Sequence, residues 1–278
     1  MRITFCGVRG STPAPGPEFV RYGGNTSCIA VAQGDDDPRL LLDGGTGLAR
    51  VSRLLEHRPF VGTLLLGHLH WDHTHGIPFF ESGDHRDADV RLLLPVQPGG
   101  TAAQVLGRAM SPPHFPIGPA ELRGSWTFDH LDEGTHRLEA YTVLARDIPH
   151  KGSRTFGYRV SDGVHTIAYL SDHWPGTLDA GPDGFGPYHA AALELADAVD
   201  VLIHDAQYTA EEYSSRRSFG HSAIDYAVGL AEVSGARRLA LFHHDPSRTD
   251  EQLDAIGRSW SESPVDVTVA REGDCIDL

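Results

Sequence analysis

The sequence predicts an α/β protein of αββα type: two mixed β-sheets packed together and flanked by helices. Short β-rich runs open the chain before any helical pattern. Thr63–Leu66 then runs without polar alternation, as strands covered on both faces do. Beyond it, strand-like and helical runs alternate, and sheets layered between helices bury both kinds of apolar face.

Arg2–Cys6, Cys28–Ala32 and Arg39–Leu42 are the opening strands, and the polar run Gly34–Pro38 reads as a solvated hairpin loop. Leu48, Val51, Leu54 and Leu55 recur at helical spacing and predict a helix over Leu48–His57. Thr63–Leu66 ends at Gly67, and further strands are expected at Val90–Leu94, Leu138–Leu144, Phe156–Val160, Thr166–Leu170, Val201–Ile203 and Arg238–Phe242. Ser222 followed by Asp225 has the form of a capping box before Ile224, Ala227, Val228 and Ala231, and Gly235 supplies the stop. Thr249 and Gln252 open a last helix in the same way. The Pro- and Gly-rich segment 83–124 is weakly periodic and reads as a lid-like insertion over the site rather than core.

No linker, repeat or low-complexity tract divides the 278 residues, 40% of them hydrophobic, so residues 1–278 read as a single domain. The apolar run after Met1 is shorter than the about 7–15 residues of a signal peptide or the about 20 of a membrane span. A cytoplasmic protein without membrane association is therefore expected. Cys6, Cys28 and Cys275 are widely spaced and odd in number, which suggests buried free thiols rather than disulfides or a thiolate zinc site. A formal charge of −15 argues against an extended nucleic-acid surface, because phosphate backbones want clustered Lys and Arg. A small substrate captured by local positive charge fits better. Histidine is over-used, with 17 copies, several beside Asp.

The densest chemistry is His68-x-His70-x-Asp72-His73, directly after the buried strand. Residues two apart in extended chain point the same way, so His68 and His70 can grip one ion. Asp72 and His73 follow after the chain turns and can face a neighbouring ion. Imidazole with carboxylate suits zinc, manganese or iron ahead of calcium. The plainer alternative is a polar surface turn that happens to hold histidines. Four ligand-type residues in six, straight after a buried strand, argue against it.

His68–His73 resembles the signature of the metallo-β-lactamase superfamily, and other motifs follow in that family's order. Leu41-Leu42-Asp43-Gly44-Gly45 resembles the first motif, whose Asp supports the metal loop without binding metal. Pro149-His150-Lys151 is similar to the third, Tyr169-Leu170-Ser171-Asp172 to the fourth and Leu241-Phe242-His243 to the fifth. The resemblance implies the metallo-β-lactamase fold and two divalent metals. One would sit on His68, His70 and His150, the other on Asp72, His73 and His243, with Asp172 bridging. Zinc is the expected metal, with manganese or iron as alternatives that share these ligands. His244 competes with His243; the family pattern favours the first residue after the strand. His75 and His173 lie close to ligands and receive no role.

Gly7-Val8-Arg9-Gly10-Ser11-Thr12-Pro13 and Arg21–Ser27 resemble the amino-terminal signature of the phosphodiesterase branch, which holds ribonuclease Z and the phosphoribosyl cyclic phosphodiesterases. His204-Asp205-Ala206 and Gly220-His221-Ser222 match its second hallmark. The resemblance makes His221 the general acid oriented by Asp205, with Asp72 also among the catalytic residues. The alternative is that His221 merely precedes a capped helix. Two cations about 3.5–4 Å apart can hold a bridging hydroxide at neutral pH and stabilise charge on a phosphoryl group. An alkoxide leaves poorly unless protonated, a step that a positioned His accelerates by about 10²–10⁴. A carboxylate beside an imidazole favours its charged, proton-donating form.

Lys151, the only lysine, either meets substrate phosphate or is a solvated surface group. His114 and Phe115, in the stiff run Ser111–Pro116, are expected to border the substrate pocket. Gly44-Gly45-Thr46-Gly47 fits neither dinucleotide fingerprint nor P-loop and reads as the turn beneath the metal loop. The leading expectation is thus a dinuclear phosphodiesterase acting on a small phosphodiester, with cyclic diesters among the candidates. One alternative is a ribonuclease Z-like tRNA 3′-processing endonuclease, whose RNA-clamping arm has little room within residues 151–171. Others are an acyl hydrolase of lactonase or β-lactamase type, which would not require the Asp205–His221 pair, and a metal-binding interaction module, though no ligand is lost here. Family analogy also suggests a homodimer.

Overall fold

The computed structural model describes residues 1–278. Its strands are β1 (Arg2–Gly7), β2 (Cys28–Ala32), β3 (Leu40–Leu42), β4 (Val61–Leu65), β5 (Asp89–Pro95), β6 (Ser125–Leu131) and β7 (Gly134–Leu138). They continue with β8 (Tyr141–Ile148), β9 (Thr155–Ser161), β10 (Thr166–Leu170), β11 (Val201–Asp205), β12 (Arg238–Phe242), β13 (Asp266–Val269) and β14 (Cys275–Asp277). Two seven-stranded sheets result, ordered β14-β1-β2-β3-β4-β5-β6 and β13-β12-β11-β10-β9-β8-β7. Each is mixed: β3 to β6 are mutually parallel in the first, and β10 to β13 in the second.

Helices α1 (Leu48–Leu54), α2 (Trp71–Thr74), α3 (Ala102–Gly107), α4 (Ala190–Ala196), α5 (Ala210–Arg216), α6 (Ile224–Ser234) and α7 (Asp250–Ser259) complete the fold. Strand pleating decides the layers. Leu40, Leu42, Leu65 and Leu93 point inward, where they join Tyr158, Ile167, Tyr169, Ile203 and Phe242 of the second sheet in the central core. Leu41, Leu64, Leu92 and Leu94 point outward, against Leu48 and Val51 of α1 and Leu106 of α3. Ala168, Leu170, Leu202 and Leu241 face Leu195 of α4 and Ala227 and Leu230 of α6. The αββα expectation therefore holds, and unbroken apolar runs are its cause: both faces of each sheet are covered. No helix is long and apolar enough to cross a membrane.

Four readings need correction. The segment 83–124 is not all cover, because Asp89–Pro95 is an interior strand between β4 and β6 with Val90, Leu92, Leu93 and Leu94 buried. The strand expected at Val90–Leu94 thus forms inside that segment, and the Pro and Gly on either side of it account for the irregular composition of the rest. Leu138–Leu144 is broken at Glu139 (φ 52°), where β7 turns back into β8 with Leu138 opposite Tyr141. Ser222 does not cap α6; its hydroxyl donates to the His173 carbonyl at 2.6 Å, and Ala223 occupies the cap position. Cys6 and Cys28 are buried free thiols, but Cys275 lies exposed on the short edge strand β14. By contrast, the Thr249–Gln252 capping box forms and Gly235 ends α6 at φ 69°.

Candidate metal centre

Asp43, the His68–His73 loop, Asp172, Asp205 and His243 all lie at the carboxyl ends of parallel strands, β3, β4, β10, β11 and β12. The β8–β9 connection adds His150 from the second sheet. Strand ends supply side chains on rigid supports, and the two sheets bring them to a common edge.

Two groups of donor atoms converge there. His68, His70, His150 and Asp172 form one, and Asp72, His73, His243 and Asp172 the other, each with its candidate ligand atoms within 4.8 Å of one another. Asp172 belongs to both, and its two oxygens divide between them. Oδ1 lies 4.0 Å from His68 Nε2 and 3.4 Å from His150 Nε2. Oδ2 lies 2.8 Å from His73 Nε2 and 3.1 Å from His243 Nε2. Asp72 Oδ2 is 3.2 and 3.1 Å from the same two nitrogens and accepts the Ser11 backbone N–H at 2.6 Å.

The surrounding contacts fix which lone pairs face inward. His150 Nδ1 donates to the Gly220 carbonyl at 2.7 Å, so Nε2 faces the cluster, 3.2 Å from His70 Nδ1. His73 Nδ1 donates to Asp43 Oδ2 at 2.7 Å. Asp43 is fully buried and also accepts the Gly67 N–H and the Tyr169 hydroxyl, both at 2.7 Å. It touches the metal loop without facing the donor cluster, as a carboxylate orienting a ligand imidazole should. Asp43, His243 and Ser11 have φ of 62°, 59° and 64°, so three non-glycine residues around the cluster hold left-handed backbone. Such strain persists only where surrounding contacts over-determine it. Gly10 meets a stricter demand: any Cβ there would collide with the His243 ring.

Electrostatics separate the two groups. Burial holds His68 well below the ordinary imidazole value and His150 down at about 4, so both present neutral rings. Burial also opposes charge on His73, but Asp72, Asp43 and Asp172 outweigh it and raise that residue well above its usual value. His243 rises to about 9, with Asp172 and Asp72 overcoming the same burial cost. Asp172 and Asp72 stay well below the usual carboxylate range; burial opposes this, and His243 and His73 outweigh it. His68 Nε2, His73 Nε2 and Asp172 Oδ2 are buried without a hydrogen-bond partner. Orphaned imidazole nitrogens aimed at a shared carboxylate are what a borderline divalent cation satisfies, so the residues fit metal.

Residues 38–244 match the family model described as a β-lactamase superfamily domain. The chain belongs to the metallo-β-lactamase superfamily. Ribonuclease Z of Haloferax volcanii is 27% identical, over 91% of this chain and 89% of its own. The metallo-β-lactamase fold protein YhfI of Bacillus subtilis superposes with a TM-score of 0.70 at 18% identity, covering 99% of this chain and 98% of its own. A diphosphatase of the PhnP family gives 0.68 at 17% identity over 100% and 97%. Like other members of the superfamily, the chain is a metal-binding one, and its His/Asp cluster suits divalent ions.

In this superfamily member His221 and Asp205 reach the donor cluster. His221 Nδ1 donates to Asp205 Oδ2 at 3.0 Å and lies 3.6 Å from Asp172 Oδ1. Asp205 is fully buried and held by the backbone N–H groups of Gln207 and His173. A cavity of about 350 Å³ opens over the cluster, lined by Ser11, Leu69, His70, Trp71, Asp72, Asp172 and His221.

The other candidates sit outside that cavity's lining. His244 turns away and donates to the Ala270 carbonyl at 2.8 Å, so His243 is the one that faces Asp72 and Asp172. Lys151 is exposed and donates to the Ser218 carbonyl at 3.0 Å. His114 and Phe115 line a neighbouring pocket of about 340 Å³ with His75, Pro78 and Phe79. His173 lies in a buried chain, its Nδ1 2.9 Å from His204 Nε2 and its Nε2 2.7 Å from His189 Nε2. Sequence reasoning missed the supporting roles of Ser11 and Tyr169. Both stand inside the quoted motifs, and only the packing of the two sheets reveals what they hold.

Proposed function

We propose that this chain is a two-metal phosphodiesterase acting on a small phosphodiester. The carrying observation is the hydrogen-bonded His221–Asp205 pair beside the metal-type cluster, with Asp205 buried and His221 lining the cavity. An acyl hydrolase has no need of such a pair, whereas a departing alkoxide requires a proton. In this reading His68, His70 and His150 would hold one ion and Asp72, His73 and His243 the other, with Asp172 available to both and zinc the preferred metal. Bound metals supply Lewis acidity and a nucleophilic water at neutral pH.

The chain's own residues do the rest. Asp43 holds the His73 ring through Nδ1, leaving Nε2 for the metal. Asp205 accepts the hydrogen bond that His221 Nδ1–H donates, so the opposite ring nitrogen is the one that would serve the leaving oxygen. Among the fold neighbours is a PhnP-family diphosphatase, whose description also places chemistry at a phosphoryl group.

The ribonuclease Z relatives favour a second reading, cleavage of tRNA. Against it, residues 155–170 are taken up by the β9–β10 hairpin of the second sheet, and the net charge is −15. The test is turnover of bis(p-nitrophenyl) phosphate, a diester panel and a precursor tRNA by protein of measured metal content. About two equivalents of metal with turnover of small diesters, both sharply reduced in Asp172→Ala, are expected. Metal-replete protein that cleaves only the tRNA makes the second reading correct. Protein that turns over neither class removes both.

A further inference from the structure

Trp71 stands between the metal-type residues His70 and Asp72, yet its side chain is 64% exposed, and it lines the cavity over the cluster. The indole is not alone. His75, one helical turn on, stacks on it with ring centroids 5.3 Å apart and planes only 18° from parallel. Phe79, one further turn along, is 70% exposed and meets Phe115 edge-on at 5.7 Å. Backbone angles stay helical through His75 and Gly76 into the short turn Ile77–Phe79, so residues 71, 75 and 79 share one outward face. A row of rings thus starts at the metal cavity and runs away from it across the surface.

Single exposed apolar side chains are ordinary, but exposed rings aligned on one helical face from a reaction site outward form a binding feature. We propose that Trp71, backed by His75 and Phe79, is a stacking shelf for a nucleobase carried by the phosphodiester. The proposal rests on the phosphodiesterase reading for the identity of the reacting group. Flatness selects the ligand: a base offers a π-face that fits the free side of the indole, while His75 covers the other side. The phosphate lies over the cluster and the base over the residue next to it in sequence, so one nucleotide spans both. The chain's net charge of −15 disfavours a long polyanion and points to one or a few nucleotides.

The test compares thymidine 5′-p-nitrophenyl phosphate with methyl p-nitrophenyl phosphate, which share a leaving group and differ in the base. Trp71→Ala in metal-loaded protein should lower kcat/KM for the thymidine ester at least about tenfold more than for the methyl ester. The difference should lie mainly in KM, and Trp71→Phe should restore most of it. Calorimetric binding of adenosine 5′-monophosphate and ribose 5-phosphate is measured beside it. The nucleotide should bind at least about tenfold tighter than the sugar phosphate, with that advantage lost in Trp71→Ala. Failure to hydrolyse either ester while the nucleotide keeps this advantage would sink the diesterase reading and leave the shelf standing. Equal losses on both esters, with nucleotide and sugar phosphate bound alike, overturn the shelf. A tetra-adenylate arm separates the sources: affinity like that of the mononucleotide indicates a single base on Trp71, and a tenfold gain indicates further bases on His75 and Phe79.

Discussion

His221 keeps its Nδ1 on Asp205 Oδ2, and Asp205 is in turn clamped by two backbone N–H groups, so the ring's orientation is set before any substrate arrives. If it acts as the acid, His221→Ala should retain both metals and lose roughly 10²–10⁴ in rate on a diester with an alkoxide leaving group. The loss should shrink for p-nitrophenolate, which departs without protonation. Asp205→Asn should give a milder form of the same pattern. An equal loss on both leaving groups would make His221 a binding residue. At this scale the sequence was informative wherever residue type and order sufficed, as in His68–His73. It could not choose between adjacent residues by type alone. His243 and His244 are chemically identical, and the left-handed backbone at His243 turns one ring into the cluster while the next reaches Ala270.

Among the elements, the loop after β1 depends on Arg9. Its fully buried guanidinium donates to the carbonyls of Gly23 at 2.8 Å, Arg248 at 2.7 Å and Asp245 at 3.3 Å, and its nearest carboxylate, Asp250, is 4.0 Å away. This fastens the loop to the segment after His243, and the same loop offers the Ser11 N–H to Asp72. Arg9→Met should leave the Gly23 and Arg248 carbonyls without this donor, while Asp245 keeps the Arg248 N–H, and cost about 2 kcal/mol or more, at roughly 1–3 kcal/mol per buried unsatisfied group. Metal should also be held less tightly. A urea midpoint within error of the parent would show the arginine to be replaceable. Helix signals were legible where a cap is local, as with Thr249 and Gln252. Ser222 has the same local form, but a carbonyl 49 residues earlier in the chain competes for its hydroxyl.

Across the whole molecule, the proposed ligands come from both sheets: His68, His70, Asp72 and His73 follow β4, while His150, Asp172 and His243 belong to the second sheet. Metal would therefore tie the sheets together and balance a buried cluster of carboxylates. Chelation should lower Tm, by roughly 5–10 °C if free metal had stood near 100 times its Kd, since that occupancy contributes about 2.7 kcal/mol. Restoring the metal should reverse the shift. An unchanged Tm, with metal loss verified by elemental analysis, would remove the proposed coupling between site and fold.

The sequence by itself determined the layered α/β class and the contents of the site. Apolar runs such as Leu40–Leu42 must be covered on both faces, and ligand-type residues cluster at strand ends in a readable order. Tertiary structure decided the rest. The strand at Val90–Leu94 was legible, but its place in the sheet interior between β4 and β6, inside a segment otherwise read as cover, was not. Asp172 turned its two oxygens to two different histidine groups, and Trp71 was left bare beside the cavity. These outcomes depend on which surfaces meet across two sheets, and contacts between residues far apart in the chain leave no local pattern to read.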